Sequence, residues 1–234
     1  MARPITTTDE LRASYNAYYE HNAMYERSDY FYEWLLSLLA PTAGSSLLDV
    51  SCGEGHLLKQ VEAHAGGIRS TGIDLSDVAL TKARTRLKKT ELMSGNAEKL
   101  PFPDATFDYA TNIGSMEHYL DNDKAIGEMA RVLKTGGSAM VLVPNRYHWR
   151  DIWRAFRKGR GQLPTEQGIE NTDSREGWAD KFRNNGLSIE RIIKYERVAR
   201  PTSSDAKPCR MVWYHHIVPL NLCFSFVYIL KKKP

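Results

Sequence analysis

Residues 46–61 read Ser46-Leu47-Leu48-Asp49-Val50-Ser51-Cys52-Gly53-Glu54-Gly55-His56-Leu57-Leu58-Lys59-Gln60-Val61, and this stretch decides the fold. Ser46 to Val50 has the length and apolar content of a short buried strand. Cys52-Gly53-Glu54-Gly55 is a tight turn, and His56 to Val61 opens a helix. A glycine-rich turn between a buried strand and a helix brings backbone close to a ligand, because Gly53 and Gly55 carry no Cβ to block the approach.

The same alternation continues outward. Arg69 to Leu75 reads as a strand, and Ser76 to Lys88 as a helix capped by Ser76 or Asp77. Thr90 to Ser94 and Phe107 to Asn112 are strands. Asp121 to Leu133 is a helix that Thr135-Gly136-Gly137 is expected to close as a C-cap and turn. Ser138 to Pro144, then Leu187 to Tyr195, are further strands, with a helix from Glu176 to Asn185 ending at Gly186. Arg210 to Lys231 is expected to supply one more strand or a hairpin, with Lys231 to Lys233 as a solvated end. On the other side, residues 11–40 read as helix, with Tyr15, Tyr18, Tyr19, Phe31, Trp34, Leu35 and Leu38 at helical spacing. Strand and helix alternating in this way imply an α/β fold, a mostly parallel sheet with helices on both faces.

In such sheets ligands bind beyond the carboxyl ends of the strands. Asp74, in Gly72-Ile73-Asp74-Leu75-Ser76, stands at the end of the strand after the glycine turn. A carboxylate there can accept both hydroxyls of a ribose, so turn and carboxylate together make a nucleoside site. A nicotinamide oxidoreductase expects a third glycine, G-x-G-x-x-G; here that position is Leu58.

These motifs resemble the class I S-adenosylmethionine-dependent methyltransferases, in particular the broad type 11-like group related to ubiquinone and menaquinone biosynthesis enzymes. The resemblance covers roughly Leu47 to Asn145 and rests on five motifs in order. They are Leu48 to Gly55, Gly72 to Ser76, Gly95-Asn96-Ala97-Glu98-Lys99-Leu100-Pro101-Phe102, Phe107 to Ala110 with Ser115-Met116-Glu117-His118, and Arg131 to Gly137. The resemblance implies a Rossmann-like, seven-stranded sheet with S-adenosylmethionine as cofactor. It implies that Asp49, Gly53 and Gly55 line the methionine end, with Ser51 nearby, that Asp74 binds the ribose, and that Asn96 with Ala97 flanks the adenine. Leu75, Glu98, Asn112, Ile113 and Tyr18 are further expected cofactor contacts. Two positions depart from the family. Ser51 replaces the usual glycine and is tolerable there at negative φ. Asn96 replaces a common aspartate, and its amide oxygen can still accept a hydrogen bond.

Methyl transfer from a sulfonium needs alignment and exclusion of water more than acid catalysis. His118 is the candidate general base, against a structural role in the loop. After Pro144 the texture changes. Tyr147, Trp149, Trp153 and Phe156 interleave with Arg146, Arg150, Arg154, Arg157, Lys158 and Arg160. An amphipathic helix with its apolar face in the core is expected for the aromatics. An acidic or amphiphilic acceptor, or an anionic membrane surface, would give the basic side chains a partner. Residues 146–175 are therefore expected to form a small cap insertion over the acceptor, with Trp149, Trp153 and Arg150 as its candidate substrate contacts and a polar loop from Gln162 to Ser174.

The 234 residues suffice for a single domain, 1–234, with an N-terminal helical segment, 1–40. A formal charge of +4 permits an anionic partner without requiring nucleic acid. Cys52, Cys209 and Cys223 show neither disulfide nor zinc spacing, and His148, His215 and His216 suggest no metal site. Met1 to Glu10 has no apolar run of the signal-peptide kind, and Ile217 to Leu230 is too short and broken to span a bilayer. A cytoplasmic enzyme acting on a small molecule is expected. Its rivals are a nucleic-acid methyltransferase, disfavoured by Asn112-Ile113-Gly114-Ser115 where an Asn/Asp-Pro-Pro-aromatic motif would stand, and a non-catalytic protein that binds the same cofactor.

Overall fold

A computed structural model describes residues 5–21, 27–159, 169–196 and 217–234. Seven strands form one sheet: β1 (Ser46–Val50), β2 (Arg69–Asp74), β3 (Glu91–Ser94), β4 (Phe107–Ile113), β5 (Leu133–Pro144), β6 (Leu187–Tyr195) and β7 (Ser225–Lys232). Their order is β3-β2-β1-β4-β5-β7-β6, and every pairing is parallel except those made by β7. The expected last strand is thus β7, inserted antiparallel between β5 and β6. Among the described residues, seven α-helices accompany the sheet: α1 (Thr8–His21), α2 (Asp29–Leu39), α3 (His56–His64), α4 (Asp77–Arg86), α5 (Asn122–Val132), α6 (Trp149–Lys158) and α7 (Arg175–Asn184).

Side chains alternate across a strand, so consecutive residues serve opposite faces. Leu47 and Leu48 are both fully buried, yet they belong to different cores. Leu47 packs with Leu35, Leu58 and Leu80 from α2, α3 and α4. Leu48 packs with Ile126 of α5 and with Trp178 and Phe182 of α7. In β7, Val227 and Tyr228 divide in the same way. Burial on both faces explains why these strands read as continuous apolar runs rather than as alternating ones.

Several expectations are corrected. The helical segment over residues 11–40 is two helices. Ser28 is extended (φ −61°, ψ 152°) before α2, and Asp29 supplies a negative charge to its first turn, which suits a helix N-terminus. Residues 22–26 lie outside the described chain. The C-cap at Thr135-Gly136-Gly137 is not formed: α5 passes directly into β5, where Leu133 is already extended. Leu133 pairs with Phe107 but Ser138 with Tyr109, so Lys134 to Gly137 bulge from the ladder. Gly136 has φ 73°, and a Cβ on Gly137 would lie 2.8 Å from the Lys134 carbonyl oxygen. The glycines serve a bulge and not a helix end.

Nor are the terminal lysines a free tail. Lys231 and Lys232 belong to β7, and Lys232 Nζ donates to the carbonyls of Leu133 (2.7 Å) and Arg131 (3.2 Å). Finally, α6 carries no buried residue. Of the aromatics expected in the core, half-buried Trp149 packs against it, while Trp153 and Phe156 point outward with Ile152. The loop at 162–168, Arg210 to His216 and Cys209 lie outside the described residues. Among the described residues, no helix is long and apolar enough to cross a membrane.

Candidate functional site

A cavity opens beyond the carboxyl ends of β1, β2 and β4, and the β1–α3 turn forms its floor. Ser51, Gly53 and Gly55 all take left-handed φ values, of 58°, 53° and 77°. For Ser51 this is not the negative φ at which a residue with a Cβ would be readily tolerated. Its hydroxyl lies 2.7 Å from the Tyr119 hydroxyl, a hydrogen bond that holds the strained residue in place. Gly55 does not line the cavity, although Gly53 before it and His56 after it do. A Cβ there would sit 2.7 Å from Leu87 Cδ1, so its absence serves packing of the turn on α4 and not a ligand.

Asp74 joins the turn to β2. Its Oδ2 accepts the Gly53 N–H at 2.7 Å and its Oδ1 accepts the Ser76 N–H at 2.8 Å. Each oxygen keeps lone-pair capacity beyond that one bond. Burial raises the Asp74 carboxyl above the usual range, while those backbone donors oppose the rise. Asp49, at the end of β1, is pushed up to about 7 by burial, against the Thr111 hydroxyl that donates to it at 2.6 Å.

The α1 helix lies across this opening. Arg12 Nη1 donates to the Leu75 carbonyl (3.0 Å) and to Ser94 Oγ (2.9 Å), and the Ser76 hydroxyl donates to Asn16 Oδ1 (2.7 Å). Lys82 Nζ donates to the Tyr19 carbonyl at 2.6 Å. These bonds fix α1 over the ends of β2 and β3, and Tyr15, Tyr18 and Tyr19 line the cavity.

The far wall follows β4. His118 lies in a 3₁₀ turn, Met116–His118, with its Nδ1 2.6 Å from the Ile169 carbonyl oxygen. A carbonyl only accepts, so Nδ1 carries the proton and the lone pair of a neutral ring falls on Nε2. The Nε2 atom is 3.7 Å from Glu117 Oε1, and burial pushes the Glu117 carboxyl up. Asn171 N–H donates to the Glu117 carbonyl at 2.7 Å. Residues 169–171 of the expected cap therefore brace this turn.

Of the expected contacts, Asp49, Ser51, Gly53, Asp74, Leu75, Asn96, Ala97, Ile113, Tyr18 and His118 come together around the cavity. Gly55, Glu98 and Asn112 do not line it. Glu98 Oε1 accepts the Leu120 and Asp121 N–H groups. Asn112 Nδ2 donates to the Val50 carbonyl and the Tyr119 hydroxyl, which ties β4 to β1. Asn96 Oδ1 accepts the Glu98 N–H at 2.9 Å, which leaves it one lone pair. Trp149, Trp153 and Arg150 are not brought to the cavity.

Sequence reasoning missed Tyr119, Tyr32, His56 and Arg27, all of which line it. Tyr119 directly follows the Glu117-His118 pair and could have been found there. Arg27 has no local signal. It is held by Phe31, whose ring centre is 4.8 Å from the guanidinium carbon, and it faces Gly114.

A family model described as "Methyltransferase domain" matches residues 48–141. Those residues contain the glycine turn, Asp74, Asn96 and His118, which is the whole cavity apart from its helical cover and Arg27. Residues 48–141 are thus similar to the core of the S-adenosylmethionine-dependent methyltransferases. A probable S-adenosylmethionine-dependent methyltransferase of Mycolicibacterium smegmatis is 32% identical to this chain over 127 residues, 54% of this chain and 48% of the relative. A demethylmenaquinone methyltransferase of Listeria welshimeri is 33% identical over 131 residues, 52% of this chain and 55% of the relative. The chain spans about half the length of these curated relatives. The crystal structure of the cyclase SpnF superposes with a TM-score of 0.70 at 20% identity, covering 99% of this chain and 98% of that one. A Thermotoga maritima S-adenosylmethionine-dependent methyltransferase gives 0.65 at 20% identity, covering 96% of this chain and 100% of the other. At those identities this chain shares a fold with both, and fold alone does not name a reaction.

Proposed function

We propose that this chain binds S-adenosylmethionine in the cavity and transfers its methyl group to a small-molecule acceptor. The observation that carries the reading is Asp74, a buried carboxylate held by the Gly53 and Ser76 N–H groups at the ligand-facing end of β2. The donor set fits this cofactor. Asp74 is suited to a diol, Asn96, Ala97 and Leu75 to a flat heterocycle, Asp49 to an ammonium, and Arg27 to a carboxylate. Ser51, Gly53 and Ile113 shape the methionine end, and Tyr18 closes it from α1. When bound, the cofactor supplies a methyl group already activated on a sulfonium.

The chain's residues orient the acceptor and exclude water. Tyr15, Tyr18 and Tyr32 give the cavity aromatic walls, suited to an apolar or amphiphilic acceptor. The Listeria relatives bear the name of a quinone methyltransferase, and this reading extends that likeness to the present chain. Where the acceptor must lose a proton, His118 Nε2 receives it, with Nδ1–H anchored on Ile169.

Calorimetry should show S-adenosylmethionine and its demethylated product binding in preference to NAD; tighter NAD binding would overturn the assignment. Asp74→Ala should weaken cofactor binding by about 2–4 kcal/mol, the loss expected for charge-assisted hydrogen bonds. Incubating labelled S-adenosylmethionine with amphiphilic acceptors, read by mass spectrometry, tests transfer. Failure of every such acceptor beside success of a nucleic acid would replace the acceptor class.

A further inference from the structure

The α6 helix leaves most of its apolar side chains uncovered. Its half-buried side carries Trp149, which packs on the core, and Asp151 and Arg154, which form an ion pair, and His148 Nδ1 lies 3.2 Å from Asp151 Oδ2. Its outward side carries Ile152, Trp153 and Phe156, which are 45%, 54% and 81% exposed. Spaced i, i+1 and i+4, these three share one face. The Trp153 and Phe156 rings stack at 5.8 Å, forming a continuous apolar ledge. Arg157 borders the ledge, its guanidinium 5.9 Å from the Trp153 ring centre, and Lys158 follows. Within α6, Arg150, Arg154, Arg157 and Lys158 stand against Asp151 alone. An exposed cluster of this kind marks a contact surface.

We propose that α6 docks on an anionic lipid surface, with Ile152, Trp153 and Phe156 inserted at the headgroup boundary and Arg157 and Lys158 on the lipid phosphates. Amphipathic helices that lie in the membrane interface pair an aromatic face with a basic one in this way. Charge complementarity selects this occupant. A second copy would set one basic helix against another. The stretches 160–168 and 197–216 of this chain offer no acidic complement: the first contains Arg160 and Glu166, the second Arg197, Arg200, Lys207 and Arg210 against Asp205. A convex ledge does not enclose a small molecule. Because α6 follows β5, it begins at the carboxyl end of the sheet, the end at which the cavity opens. The proposal does not depend on methyl transfer.

The test is flotation of the whole chain with vesicles of phosphatidylcholine alone or mixed equally with phosphatidylglycerol. Binding is expected only to the mixed vesicles, with a blue shift of tryptophan emission and release at high salt. Trp153→Ser with Phe156→Ser, and separately Arg157→Gln with Lys158→Gln, should each reduce the bound fraction about tenfold or more. Circular dichroism and binding of the demethylated cofactor should be unchanged in both variants. The charge pair keeps the test decisive if the apolar pair fails to fold. No binding by the unmodified chain, or equal binding to both vesicle types, overturns the proposal. So does binding that survives both pairs, or a sedimentation-measured dimer that the apolar pair dissolves in place of any vesicle binding.

Discussion

Ser51 occupies a backbone conformation that costs a residue with a Cβ about 1–2 kcal/mol, at φ 58°. Its hydroxyl recovers part of that cost through Tyr119 at 2.7 Å. The two contributions can be separated. Ser51→Ala keeps the strain and loses the bond, so it should destabilise the protein by about 1 kcal/mol. Ser51→Gly loses the bond and also the strain, so it should exceed Ser51→Ala in stability by about 1–2 kcal/mol. Denaturant unfolding of the three proteins measures both differences, and equal stability of the two variants would show that the backbone at Ser51 is unstrained. The turn itself was legible in the sequence because Gly53 and Gly55 announce it. The φ of Ser51 was not, because its hydroxyl partner lies 68 positions away in the chain. That Glu98 and Asn112 stand off the cavity was hidden for the same reason: a motif gives a residue's position, while its hydrogen-bond partners decide whether it faces the cavity.

Among the elements, β7 shows how far periodicity carries. Its apolar run was legible as a strand or a hairpin, and its place as a single strand between β5 and β6 was not, because register depends on pairings distant in sequence. Phe226, Val227, Tyr228 and Leu230 are fully buried. Ending the chain after Leu220 would therefore strip partners from two strands and leave β6 unattached to the sheet. Such a chain should be insoluble or lack native circular dichroism; a soluble product that still binds the cofactor would show that β5 closes the sheet alone. The reading of α6 went the other way. Its helical spacing was visible, and the face it turns to the protein was not. A stripe of aromatics names a face without saying what covers it, and here the Asp151–Arg154 pair shares the inner side with Trp149 while Trp153 and Phe156 face out.

At the scale of the whole molecule, Asp49 links stability to pH. Its carboxyl stands at about 7 in the folded protein against an ordinary value of 3.8. Between those values the folded state binds the extra proton, so this group's contribution to stability falls as pH rises from about 4 to about 7 and is constant above. Asp49→Asn removes the titration and keeps an oxygen for the Thr111 hydroxyl. The variant's melting temperature relative to the parent should therefore rise through that window, and parallel curves would mean that Asp49 ionises freely. The layout of the sheet also bears on how the protein is made. A ribosome delivers β6 before β7, yet β6 joins the rest of the sheet only through β7. During synthesis the finished edge of β5 and the apolar side of β6 wait together for a strand not yet translated. That interval is when a nascent chain is open to pairing with a neighbour, and when a chaperone has most to shield.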